Sequence, residues 1–296
     1  MTYSTSRAYL ELHLAVFLWG FTAILGDLIT LNALTLVWWR VLLTSISLVA
    51  FVRLAAMVRE IGKRQLIIYA GIGVLVAIHW VTFYGSIKLA NASVALICMA
   101  TTSLFSSIIE PWIVKRPFRW YELLLGLFIL PGIWLIADGV SSDMEVGILV
   151  GLLSAFLVAL FTSLNKRYVE GADPHRITFL ELSAATLFLT PFLPFVGDLR
   201  WPSTMDWVYL LVLALLCTTL TNLLFLRALR KLSAFASNLT VNLEPVYGIF
   251  LAYFLLDDAE ELNGQFYLGT LLIMIAVFGY SIVKRTLRKR MEAAHR

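Results

Sequence analysis

The residues best able to do chemistry stand in apolar surroundings. The stretch at 238–248 reads NLTVNLEPVYG, with a glutamate directly before a proline, Glu244-Pro245. A carboxylate at hydrocarbon depth costs about 3 kcal/mol or more, so Glu244 must face a cavity, find a partner or stay protonated. Such a group can take up and release a proton and so couple solute movement to a proton gradient. The alternative is a protonated carboxyl hydrogen-bonded to a neighbouring helix. Pro245 frees a backbone carbonyl near residue 241. Membrane helices tolerate this where neighbours or cavity water satisfy the freed group, and the bend would suit a gate.

Other polar residues sit in similar runs. Glu110-Pro111 repeats the Glu-Pro pair close to Lys115 and Arg116, which points to a structural or gating role. Arg40, in TLVWWRVLL, could neutralise Glu244 or grip a solute carboxylate with two parallel N–H groups; equally, it could snorkel to the surface. His79, in AIHWVTFYGS, is either a solute contact or proton relay or a hydrogen-bonded packing residue. Glu181 lies near enough to one end of its run to reach the inner surface. Asn222 and Asn242 hydrogen-bond either solute or a neighbouring helix. Trp19, Tyr84 and Tyr247 are the aromatic candidates for a cavity wall.

Cys98 and Cys217 lack metal-ligand spacing, and no two histidines have it either. There is no phosphate-binding Gly-rich loop, dinucleotide fingerprint, HExxH or GxSxG. We therefore expect no metal, no cofactor and no enzyme activity. A membrane-embedded enzyme, the reading from another class, would need acids, histidines or cysteines clustered at a membrane surface, and the acids are scattered.

The elements that must position these residues follow from composition. Of 296 residues 60% are hydrophobic and only 14% charged, and mean hydropathy is +0.86. So few charges cannot cover a soluble protein of this size. The charges cluster, leaving apolar runs of about 20 residues, the length of a membrane-spanning helix. Ten such runs are expected, at 8–29, 34–54, 65–87, 92–114, 120–138, 147–168, 175–196, 206–227, 233–256 and 264–284. The first lacks a cleavage pattern and reads as a span rather than a signal peptide.

Ten spans with the N-terminus inside put every Lys and Arg except Lys88, Arg200 and Arg40 on the inner side. That bias predicts both termini in the cytoplasm. It also explains a pI of about 9.1 without nucleic acid. The basic tail RTLRKRMEAAHR reads as a topological anchor or a contact to anionic lipid. The expected partners are a small-molecule solute and the lipid bilayer, with the chain a monomer or homodimer.

Two halves are visible. KLANASVALICMATTSLF at 88–105 aligns with KLSAFASNLTVNLEPVY at 231–247, which sets Thr102 opposite Glu244 and Ser103 opposite Pro245. WGFT at 19–22 aligns with ALFT at 159–162. The division falls near residue 143, giving five-helix units at 1–143 and 144–296. An odd number of spans per half inverts the second half, a pattern shared by many secondary transporters. Gly147 and Gly151 form a GxxxG helix-contact signal.

The WGF of the first span, Arg40, the KLANAS and KLSAFAS turns, EPVYG and the tenth span together resemble the EamA-type branch of the drug/metabolite transporter superfamily, over nearly the whole chain. The resemblance implies an all-α polytopic fold of ten transmembrane helices in a 5+5 inverted-topology repeat. It further implies export of small metabolites, amino acids among them, across a bacterial inner membrane by alternating access. The cavity would be lined by spans one, three, four, six, eight and nine. Facilitated diffusion of the same solutes is the second expectation.

Overall fold

A computed structural model describes residues 4–90, 92–136, 144–196, 200–244, 246–247, 251, 268–269, 271–280, 282–283 and 286. Among the described residues there is no strand. The helices are α1 Thr5–Leu28, α2 Ala33–Val49, α3 Leu54–Glu60, α4 Lys63–Leu89, α5 Ala92–Ala100, α6 Thr102–Val114, α7 Trp120–Ile136, α8 Glu145–Tyr168, α9 Pro174–Leu189, α10 Thr204–Ala214, α11 Thr221–Leu229, α12 Ala234–Val241 and α13 Leu271–Tyr280. A 3₁₀ turn, Thr190–Phe195, extends α9, and a π-helical turn, Leu215–Leu220, joins α10 to α11.

Among the described residues six helical runs are long and apolar enough to cross a membrane: Thr5–Gly26, Lys63–Leu89, Val94–Val114, Glu145–Tyr168, Pro174–Phe195 and Thr204–Leu229. Ala33–Val49, Trp120–Gly132 and Leu271–Tyr280 are shorter apolar helices. Within the described residues these overlap the expected runs other than the ninth, with three departures. The fourth run turns at Thr101, between α5 and α6. The small helix α3 lies between the second and third runs. The ninth run is not one continuous helix, because α12 stops at Val241 and a turn at Asn242 and Leu243 precedes Glu244.

Helix starts follow from the sequence. Ser4, Asn32, Asp173, Ser203 and Ser233 each accept a hydrogen bond from a first-turn N–H of the helix they precede. A short polar side chain there satisfies a backbone donor the helix leaves unpaired. Ser203 and Asp206 form a reciprocal capping box, as S/T-x-x-acid predicts.

Burial runs opposite to that of a soluble protein. Trp112 is 81% exposed and Leu187 74%, whereas Arg40, His79, Glu110, Glu181, Asn238 and Asn242 are all buried. Apolar side chains turned outward and polar ones inward suit a lipid surround, where interior groups must satisfy one another. The chain is an integral, multi-pass membrane protein.

Close helix contacts use small residues. A Cβ at Gly73 of α4 would collide with the Glu181 backbone of α9, and one at Gly151 of α8 would lie 2.8 Å from the Cys98 Cβ. The GxxxG of α8 is therefore a contact face toward α4 and α5, and the Ser86 hydroxyl donates to the Gly147 carbonyl across it. Segments expected on one side also meet others of the same side. On the basic side, Arg176 pairs with Glu60, Arg167 donates to the Ile113 carbonyl and Arg230 to the Ala172 carbonyl. On the other, the Thr30 N–H and hydroxyl donate to Asp206 at 2.8 and 2.9 Å, and Trp39 packs edge-on against Trp201.

Candidate functional site

A cavity of about 80 Å³ lies among α1, α2, α4, α5, α8, α11, α12 and Glu244. Five of the residues singled out in the sequence line it: Trp19, Arg40, His79, Asn222 and Glu244. Segments 1–143 and 144–296 both contribute wall. Arg40 adds the second span to the six that the resemblance implied.

Arg40 is 1% exposed and points inward, so it does not snorkel. Its Nε donates to the Thr218 hydroxyl at 2.7 Å, Nη1 to the Tyr84 hydroxyl at 3.1 Å and Nη2 to the Cys217 carbonyl at 3.4 Å. The guanidinium lies 4.1 Å from the centre of the Trp80 ring, a cation–π contact. A guanidinium has five N–H donors, so each terminal nitrogen retains one for the cavity. Two of its three partners come from the π-helical turn. That turn shifts the backbone register so that Thr218 and Thr219 hydroxyls bond the carbonyls of Leu213 and Ala214, five residues back. Single π turns inside α-helices are frequent at functional sites.

Glu244 hydrogen-bonds to no described residue and faces the cavity. Arg40 lies close enough to act on it electrostatically, yet the two are not in ion-pair contact. A cation from one half and a carboxylate from the other thus share one space without neutralising each other directly. His79 bonds the Ser154 hydroxyl through Nδ1 at 2.8 Å and packs on Phe161, ring centres 5.6 Å apart. His79 is also part of the cavity wall. Asn222 donates to the Thr218 carbonyl at 2.8 Å. Trp19 packs against Phe225.

The remaining candidates take other places. Tyr84 holds Arg40 and is not among the lining residues. Thr102 is fully buried, its hydroxyl oxygen unpartnered. Asn242 donates to the Ser103 hydroxyl at 3.1 Å. Tyr247 packs edge-on against Phe17. Pro245 lies outside the described residues, but α12 ends at Val241, the residue whose carbonyl a proline at 245 cannot bond.

Below the cavity, α6 and α12 are joined by a polar seam. Asn242 bonds Ser103, Asn238 donates to the Ser106 hydroxyl at 2.7 Å, and Glu110 accepts the N–H groups of Ala234 and Phe235, each at 2.9 Å. Glu110 therefore caps the helix leading to Glu244, a carboxylate on the positive end of a helix dipole. Pro111 follows it within α6. Arg116, just beyond α6, donates to Glu110 at 2.9 Å and also to Glu122. Burial alone would lower the Arg116 pKa; the bond and charge of Glu110, joined by Glu122, carry it above its ordinary value. Lys115 adopts a left-handed backbone, φ 58°, that ends α6.

Several wall residues escaped the sequence reading: Thr22, Trp80, Phe83, Met99, Thr162 and Asn238. Thr22 and Thr162 are the last letters of the aligned WGFT and ALFT. Both have buried hydroxyl oxygens without a partner. Treating the aligned pair as a pair would have found them.

No protein of curated function matches the chain. One solved crystal structure superposes with a TM-score of 0.77 over 96% of this chain and 99% of that one, at 15% sequence identity, which shows a shared fold. The model of the EamA-like transporter family matches residues 6–137 and again 145–282.

Proposed function

The chain belongs to the EamA-like transporter family of the drug/metabolite transporter superfamily, and from that premise we propose that it is a secondary exporter of small organic metabolites, proton-coupled and working by alternating access. Arg40 and Glu244 facing one cavity is the observation that carries this reading. Arg40 offers spare N–H donors to a solute carboxylate. Glu244 offers a group that can exchange a proton or meet a solute amine. Trp19, Trp80 and Phe161 supply apolar wall. The set suits a zwitterionic solute of amino-acid type.

The proposed architecture is ten spans in two inverted five-helix units, with both termini in the cytoplasm of a bacterial inner membrane. Segments on the basic side contacting one another, and likewise those opposite, support it. The gap between the two family-matched segments supports a division near residue 143. The α6–α12 seam is the proposed inner gate, with Glu110 and Pro111 at its end.

Facilitated diffusion is the second reading, favoured by the Arg40 charge acting on Glu244 across the shared cavity. Gradient-driven flux of amino acids in proteoliposomes separates the two. The expected result is wild-type flux that follows the proton gradient and a Glu244→Gln variant that does not. Equal rates and equal pH dependence in both proteins would rule out coupling through Glu244, and gradient-independent wild-type flux would leave diffusion.

A further inference from the structure

Another carboxyl is buried away from the cavity, on α9. Glu181 is 4% exposed. One oxygen accepts from the Asn165 amide of α8 at 3.5 Å; the other has no partner. It is not alone in this. The carbonyl oxygen of the Asn165 side chain and the hydroxyls of Thr178 and Thr162 are also buried and unpartnered. Native interiors rarely leave such groups unsatisfied, and they mark places where water or a proton completes the bonding.

These atoms form a row. Thr178 is one helical turn before Glu181 on α9, beside Ile177 and Leu180, which line a cleft on the basic side of the protein with Tyr69 and Tyr168. Thr162 is one turn before Asn165 on α8 and lines the central cavity. Residues three apart on a helix share a face. Thr162, Asn165, Glu181 and Thr178 thus step from the cavity toward the cleft, which Thr178 itself does not line.

Charges on every packed element turn elsewhere. From α4 comes Tyr69, whose hydroxyl donates to the Tyr168 carbonyl. On α8, Lys166 and Arg167 donate to the Leu229 and Ile113 carbonyls. Arg40 of α2 is held at Thr218 and Tyr84, and Arg227 of α11 lines a surface pocket on the basic side. Within α9, His175 pairs with Asp173 and Arg176 with Glu60. Without a cation, a buried carboxyl is held by a proton.

We propose that Glu181 is a second proton-binding site, separate from Glu244, on a polar path between the inner cleft and the central cavity. This rests on the transport reading above for its purpose, but not for its test. Glu181 would carry protons to or from the inner side while the α6–α12 seam stays shut to solute. The contact of Gly73 with the Glu181 backbone fixes the carboxyl at its place along the path.

Infrared difference spectra of the full chain in lipid, on transfer from H₂O to D₂O, test this with the proton itself as probe. The expected spectrum has a protonated-carboxyl band that is lost in Glu181→Gln, kept in Glu244→Gln and shifted by D₂O. Thr178→Val should slow that shift about tenfold. If Glu181→Gln fails to fold, Glu181→Asp should displace the same band. The proposal is overturned if no band depends on residue 181, if that band ignores D₂O, or if Thr178→Val exchanges at the wild-type rate. A missing Glu244 band, by contrast, would count against coupling through Glu244 while the Glu181 band is still read.

Discussion

Two broken helices carry most of what is distinctive in this protein, and they break in the same way. The run through α5 and α6 turns at Thr101; the run beginning with α12 turns at Asn242 and Leu243. In the first, the Thr101 N–H bonds the Cys98 carbonyl and the Phe105 N–H bonds that of Thr101. In the second, the Leu243 N–H bonds the Thr240 carbonyl and the Tyr247 N–H bonds that of Leu243. The alignment that sets Thr102 opposite Glu244 makes these the same bonds. Yet the first break has Ser103 where the second has Pro245. A proline is therefore not needed to stop the helix here. The two breaks differ in the residue just past the turn: a fully buried threonine in one half, a cavity-facing carboxylate in the other.

The largest test of this difference is Thr102→Glu. A carboxyl at that buried position meets no cation, and the expected loss is several kcal/mol, on the order of 3, read as a fall in melting temperature. A stable variant would mean that the first break also opens on the cavity. Next is Glu110→Gln, which removes the charge-assisted cap on α12. The expected loss is about 2 kcal/mol of seam closure, so maleimide applied from the Arg116 side should label Ser106→Cys about thirtyfold faster in that background. Unchanged labelling would mean that the seam is no gate. The smallest effect is expected for Ser103→Pro. The break already spares the helix there, leaving the lost hydroxyl bonds to Asn242 and to the Ala100 carbonyl, together about 1 kcal/mol. A loss of about 3 kcal/mol, as for proline inside an intact helix, would end the equivalence of the two breaks.

Much of this was legible in the residues. Apolar run length and the one-sided basic residues anticipated the helices, because in lipid a backbone must satisfy itself within each span. Glu244, Arg40, Trp19, His79 and Asn222 stood out as polar or aromatic groups at depth, and they share the cavity. The π-helical turn was not legible: LLCTTL is compatible with an ordinary helix, and only the packing of Arg40 against Cys217 and Thr218 gives the extra residue its use. Glu110 was read through its neighbours Lys115 and Arg116. Its larger role, capping α12 from 124 residues away, depends on a contact that spacing does not encode. Tyr84 was expected on the cavity wall and Asn242 at solute or a neighbouring helix; which neighbour a hydroxyl or amide chooses is settled only by three-dimensional packing.

The central claim is that one carboxylate in one half carries the proton that moves in exchange for the solute. It is tested most directly by counting protons in vesicles containing the full chain and a pH dye while an amino acid is transported. The account predicts that wild-type protein moves protons opposite to the solute and that Glu244→Gln moves solute, if at all, without them. Proton movement undiminished in Glu244→Gln would contradict it.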